Sequence, residues 1–270
     1  MARSEVVMAV RVWIWCSTLA MIYMPSLFVR RIWRERRVGA ASLVPIVLVL
    51  ANSHVWMLYG YLGRTWFPSF PVFLIGDVVS LGYLFVFWRF SPDRRQVAKT
   101  IGVILALLAV PTLYVTVASL GATGQTRDEI WHTQGLCFCD VTVVAIHSLM
   151  LKNLVRSFQQ RSAATLVPRS LAVSTFNTFG WFTFGRVTSN WIIAGPQVFV
   201  IALHVAAWTM YVVFTRRPSP GGDLEEGSVA MSIDLSPKID FDAGLKDMAT
   251  VSSPEYKALR SPLAPLEQIN

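Results

Sequence analysis

Apolar runs of about membrane-spanning length alternate with short polar breaks along this chain. The runs fall near 6–29, 42–63, 67–88, 97–120, 130–152, 165–187 and 190–214. The breaks between them read RRIWRERR, GRTWFP, RFSPDRRQ, GATGQTRDE, RSFQQRS and TSN. A helix needs roughly 20 apolar residues to cross the hydrocarbon core of a bilayer. The pattern therefore predicts an all-α integral membrane protein with seven transmembrane helices and its two termini on opposite sides.

The basic residues orient the spans. Fifteen fall on one side of this alternation (Arg30, Arg31, Arg34, Arg36, Arg37, Arg89, Arg94, Arg95, Lys99, Lys152, Arg156, Arg161, Arg169, Arg216 and Arg217), and five on the other (Arg3, Arg11, Arg64, Arg127 and Arg186). Lys and Arg concentrate in cytoplasmic loops, so the expected topology has the N-terminus outside and the C-terminus in the cytoplasm.

The chain also repeats itself. Residues 40–45 read AASLVP and residues 163–168 read AATLVP. Each is followed by N-x-x-x-W-x-x-[aromatic]-G, Asn52 to Gly60 in the first copy and Asn177 to Gly185 in the second, and an arginine (Arg37, Arg161) precedes each. Proline and asparagine lie seven residues apart in one copy and nine in the other, so the copies have drifted. A duplication with so long a period implies two structural units. Three spans reverse the side of the chain, so parallel copies need one extra span between them, and 97–120 supplies it. The predicted organisation is a first three-helix repeat over 1–90, a linker helix within 91–125, a second repeat over 126–216 and a tail over 217–270.

Composition agrees with a lipid solvent. Of 270 residues, 54% are hydrophobic and 15% charged, against about 25% charged in soluble domains. The net charge of +8 is unevenly placed: residues 1–217 hold 20 basic and 7 acidic side chains, and 218–270 hold 4 and 9. That distribution follows membrane topology and excludes a basic stripe for nucleic acid. Cys16, Cys137 and Cys139 lie in apolar stretches with no C-x-x-C pair, and read as small core residues. The tail, with its Ser-Pro pairs at 219, 236, 253 and 261, has little apolar periodicity and is expected to be disordered, with solvated serines rather than phosphorylation sites as the simpler reading.

Pro25 near the end of span 1, a basic stretch, Leu-x-Pro at Pro45, and W-x-x-Y-G at Trp56, Tyr59 and Gly60 together resemble the SWEET sugar transporters. The second half repeats the pattern with Pro168, then Trp181, Phe184 and Gly185, then Gly195-Pro196. The resemblance covers roughly 6–214 and implies a seven-helix facilitator with its pocket on a pseudo-two-fold axis. It maps a sugar-binding set of Asn52, Trp56, Asn177 and Trp181. Asparagines expected early in spans 3 and 7 are replaced here: Gln197 stands in span 7 and Phe73 falls nearest in span 3. The family's span 5 proline is absent from His147-Ser148-Leu149. Pro25, Pro45 and Pro168 are candidate hinges near the cytoplasmic ends, and Tyr59 and Phe184 candidate outer gates. The implied partners are a small sugar and the lipid bilayer, with the plasma membrane expected, a homo-oligomer left open and no cofactor; the bulk of Asn52, Asn177 and Phe73 predicts a narrow pocket for a hexose or smaller sugar rather than sucrose.

The chemistry suits a sugar. A tryptophan face stacks on the C–H side of the ring, while carboxamides both donate to and accept from hydroxyls. Asn52 and Trp56 are four apart and share a helix face, as do Asn177 and Trp181. Asp77, Asp140, His54, His147 and His204 lie within spans, where ionisable groups are usually functional. They show no pairing spacing, so structural hydrogen bonding or cavity lining is expected rather than a proton relay. A seven-helix receptor is disfavoured by the repeat and by the absence of D-R-Y and N-P-x-x-Y. A retinal protein lacks its span 7 lysine. No H-E-x-x-H or G-x-S-x-G supports an enzyme. A PQ-loop-type carrier of amino acids or other small solutes is the nearest alternative.

Overall fold

A computed structural model describes residues 2–39, 41–163 and 166–215. The predicted tail and its Ser-Pro pairs lie outside the described residues. Among these there are only helices: α1 (Ala2–Tyr23), α2 (Ser26–Glu35), α3 (Val44–Leu62), α4 (Ser69–Phe90), α5 (Arg94–Ser119), α6 (Arg127–Gln134), a π turn (Gly135–Cys139), α7 (Asp140–Gln160), α8 (Pro168–Val187) and α9 (Trp191–Thr215).

Most boundaries have a local cause. Pro25 has no backbone N–H to continue a helix, and the chain breaks at Met24-Pro25 between α1 and α2. The helix then runs past the predicted apolar limit, through the basic stretch, until Arg36 adopts left-handed φ of 56°. Pro45 and Pro168 occupy the first turns of α3 and α8, where a missing N–H costs nothing. The Asp93 carboxylate caps α5 by accepting from Gln96 N at 2.9 Å. Thr126 and Glu129 form a capping box that starts α6 three residues before the predicted span. From there α6, the π turn and α7 run on as a single span over Arg127–Gln160.

Among the described residues, six segments are long and apolar enough to cross a membrane. The seventh predicted span, α8, has 20 residues, enough for about 30 Å at 1.5 Å per residue, but it is less apolar. Its polar residues have uses: Thr175 and Thr183 hydroxyls donate back to Leu171 and Phe179 carbonyls, and Ser174 and Asn177 bond across to neighbouring helices. Hydropathy measures how a helix would meet lipid, and α8 satisfies these groups with protein partners.

Helices α3 and α4 pack closely, as do α8 and α9. The final glycine of each repeated motif permits it. A Cβ on Gly60 would stand 2.9 Å from Phe70 N, and one on Gly185 would stand 2.7 Å from Ala194 N. The two halves then cross, with α1 against α8 and α3 against α7. α5 packs on α3, α4 and α6 while exposing Val103, Leu107, Val110 and Leu113, an outer position with a lipid-compatible face.

The buried core is organised by depth. At the end where α3 and α8 finish, one cluster joins α1, α3, α4, α7, α8 and α9 through Ile14, Trp56, Tyr59, Phe73, Trp181, Phe184 and Ile193. At the end where they begin, the core divides. Val29, Ile32, Ile46, Leu50, Tyr83 and Phe87 form one cluster, and Leu154, Leu166, Leu171, Leu203 and Ala207 form another. The halves are fastened at one end and separately packed at the other.

Candidate functional site

The shared cluster ends in a layer of rings. Phe73 stacks on Trp181 with centroids 5.5 Å apart and planes at 22°, and on Trp56 at 6.2 Å and 29°. The two tryptophans lie 6.3 Å apart, too close to take a ring between them. They form a floor with Phe73 rather than two facing walls. Above it is a cavity of about 230 Å³, smaller than the roughly 300–1,000 Å³ of pockets for drug-sized ligands. Asn52, Trp56, Phe73, Asn177, Trp181 and Gln197 all line it, so the structure brings together every residue of the sequence-derived binding set.

The lining is two-fold in position. The offset of 125 that carries Trp56 onto Trp181 also carries Thr18, Met21, Ile22, Val49, Asn52 and Ser53 onto Val143, Ile146, His147, Ser174, Asn177 and Thr178. All of these residues line the cavity. Chemically the halves differ. Asn177 Oδ1 accepts from Ser17 Oγ and Thr18 Oγ1, each at 2.9 Å, and Trp181 Nε1 donates to Thr18 Oγ1 at 3.0 Å. With its oxygen occupied, the groups Asn177 has left to offer are its amide N–H donors. Neither Asn52 nor the Trp56 indole N–H has a protein hydrogen-bond partner among the described residues.

Behind the floor, Tyr59 meets Trp56 edge-on at 5.3 Å and Phe184 meets Trp181 edge-on at 5.9 Å. Both candidate gates are buried, 2% exposed each. The Tyr59 hydroxyl reaches the Asn190 amide, 2.9 Å from Nδ2, and its ring stacks on Trp131 at 5.1 Å. This end is shut. The candidate hinges Pro25, Pro45 and Pro168 lie toward the other end, where the core divides and the cavity reaches Met21, Val49 and Met150.

Of the in-span acids, Asp77 makes a structural hydrogen bond of the kind expected, to a partner invisible as spacing because it comes from the adjacent helix: His54 Nδ1 lies 2.9 Å from Asp77 Oδ2. His54 Nε2 lies 2.7 Å from Thr112 Oγ1 of α5. This triad ties α3, α4 and α5, and none of its members lines the cavity. Asp140 follows the π turn and is also outside the lining. His147 does line the cavity, and buried His204 lies 2.8 Å from Ser174 Oγ. Sequence reading missed Ser17, Thr18, Ser174 and Asn190. Short hydroxyl residues in apolar helices carry no motif, and Thr18 and Asn177 are 159 residues apart.

Comparison with known proteins meets this geometry. A family profile described as a sugar efflux transporter for intercellular exchange matches residues 8–95, the first half of the internal repeat. Sugar transporter SWEET1 of Drosophila pseudoobscura pseudoobscura is 22% identical over 205 residues, covering 76% of this chain and 88% of that protein. Sugar transporter SWEET1 of Xenopus laevis is 25% identical over 185 residues, covering 68% and 82%. Bidirectional sugar transporter SWEET13 of Oryza sativa subsp. japonica is 21% identical over 200 residues, covering 73% and 65%. A solved eukaryotic SWEET transporter superposes with a TM-score of 0.69 at 15% identity, over 80% of this chain and all of that one. Sequence profile and relatives agree with the repeated tryptophan motif that this chain is similar to SWEET transporters, and the superposition shows that it shares their fold.

Proposed function

We propose that the chain is a facilitative sugar carrier that moves a hexose-sized neutral sugar in either direction by alternating access. One observation carries this reading: a small cavity on the axis of the repeat combines an aromatic floor with Asn52, Asn177 and Gln197. The C–H face of a sugar lies on Trp56, Phe73 and Trp181, while carboxamides engage its hydroxyls. The lining contains no acidic side chain, lysine or arginine, which suits an uncharged solute. Binding is weak, because the protein's hydrogen bonds replace equally good ones to water. A carrier requires that weakness in order to release its cargo.

The divided core supplies the movement. The repeats hold together around Tyr59, Phe184 and Asn190 and part at the end of Pro25, Pro45 and Pro168. With the N-terminus outside, as the basic residues favour, the cavity faces the cytoplasm in this state. Residues 1–90 and 126–216 act as the two moving units, joined by the linker helix of 91–125, and the plasma membrane is the proposed site of action.

Glucose and sucrose flux into proteoliposomes tests the reading, with the wild type beside an Asn52→Ser, Asn177→Ser double variant. Wild-type protein is expected to carry glucose and exclude sucrose, and the double variant to gain sucrose. Equal wild-type flux of both sugars would refute the size argument. Flux of amino acids but of neither sugar would move the assignment to a carrier of another solute class.

A further inference from the structure

The two-fold lining is broken at one edge. Ile22 and Val49 of the first repeat are apolar, and the positions 125 residues on are His147 and Ser174. All four border the cavity. Their hydrogen bonds fix what the polar pair offers. His147 Nδ1 lies 2.7 Å from Val143 O. A carbonyl oxygen only accepts, so in the neutral ring Nδ1 carries the proton and Nε2 is left as an acceptor. His147 Nε2 has no protein partner among the described residues. His204 repeats the arrangement: Nδ1 lies 2.8 Å from Val200 O, so its Nε2 accepts the Ser174 hydroxyl proton at 2.8 Å. With its proton committed, Ser174 Oγ presents lone pairs to the cavity.

Resting on the sugar-carrier reading, we infer that His147 Nε2 and Ser174 Oγ are specificity-determining acceptors for adjacent hydroxyls of the sugar, and that they fix its orientation on the aromatic floor. The hydroxyl-rich edge faces the second repeat, and a less polar edge faces Ile22 and Val49. Asn177, whose oxygen is taken by Ser17 and Thr18, complements the pair as a donor. The cavity is thus symmetric in shape and polarised in chemistry, and it holds a pseudo-symmetric ring in one way. A solute without donors at that edge leaves two acceptors unpaired, which costs more than the bonds themselves.

A deoxy-sugar series tests the inference. Flux of glucose and of each monodeoxyglucose is measured in proteoliposomes for wild type, His147→Leu, His147→Gln and Ser174→Ala, with reconstituted protein quantified in each. In the wild type, one or two deoxy positions are expected to lower flux about tenfold, the scale of one lost hydrogen bond. In His147→Leu, glucose falls to the level of one of those analogues while that analogue is unchanged, so the discrimination disappears. His147→Gln, which retains an acceptor, preserves it. Ser174→Ala removes discrimination at the neighbouring hydroxyl. A uniform loss across glucose and every analogue would make His147 and Ser174 packing residues and overturn the inference, as would unchanged discrimination in the variants. Failure of wild-type protein to carry any sugar would overturn the carrier reading and this inference together, and that outcome is distinct from the other two.

Discussion

The first and second repeats carry the same asparagine and tryptophan at matching places, yet they hold them differently. On α8, Asn177 and Trp181 are braced through their side chains by Ser17 and Thr18 of α1. On α3, the bracing from α6 and the π turn goes to the backbone instead: Gln134 Nε2 donates to Val55 O at 3.2 Å, and the Cys139 thiol lies 3.4 Å from the same oxygen. The position matching Thr18 is Val143, which has no hydroxyl to give. Asn52 and the Trp56 N–H therefore stay available to a ligand. Duplication conserved where the groups stand, while the helix crossing from the other repeat decides which of their hydrogen bonds are already made.

The largest effect should come from the floor. Trp56→Ala and Trp181→Ala are each expected to remove most glucose flux, since lost stacking and a new cavity cost on the order of 2–4 kcal/mol. Trp181→Ala should also lower thermal stability more, because it unties Thr18. Flux normalised to surface expression, paired with a melting curve, measures both, and near-normal flux in both variants would make the tryptophans packing residues.

Thr18 offers a sharper and smaller test. Thr18→Val keeps the shape and removes two bonds, each worth about 0.5–1.5 kcal/mol, so flux should fall roughly fivefold to tenfold, whereas Thr18→Ser should stay near wild type. The matched change Val143→Thr in the first repeat's half of the cavity should leave flux less affected than Thr18→Val. If Thr18→Val behaves as wild type, the difference between the halves has no functional weight.

The smallest expected effect is none. Glucose flux should not respond to an imposed pH gradient of either sign, because Asp77 within α4 is paired with His54, which is tied to Thr112 of α5, and the group stands outside the cavity lining. Accumulation above equilibrium under a gradient would make that triad a proton site and the protein a coupled transporter.

The spans, the duplication and the pairing of Asn52 with Trp56 and Asn177 with Trp181 could be read from residues alone. Each rests on a periodicity, and a helix places residues four apart on one face whatever surrounds it. Hydropathy was less complete for α8, several of whose polar residues have protein partners. The joining of the six binding-set residues around one cavity also agrees with the sequence reading, because two equivalent helices about an axis must aim their shared face inward. Contacts between distant segments carried no such signal. His54 and Asp77 meet because α3 and α4 pack through Gly60, and Thr18 reaches Asn177 because α1 crosses to the other repeat. Residue spacing was enough to single out groups that share this cavity. Packing in space settles which of them keep unpaired hydrogen-bonding atoms, since a hydrogen bond is directional and short-ranged and its partner comes from a distant segment.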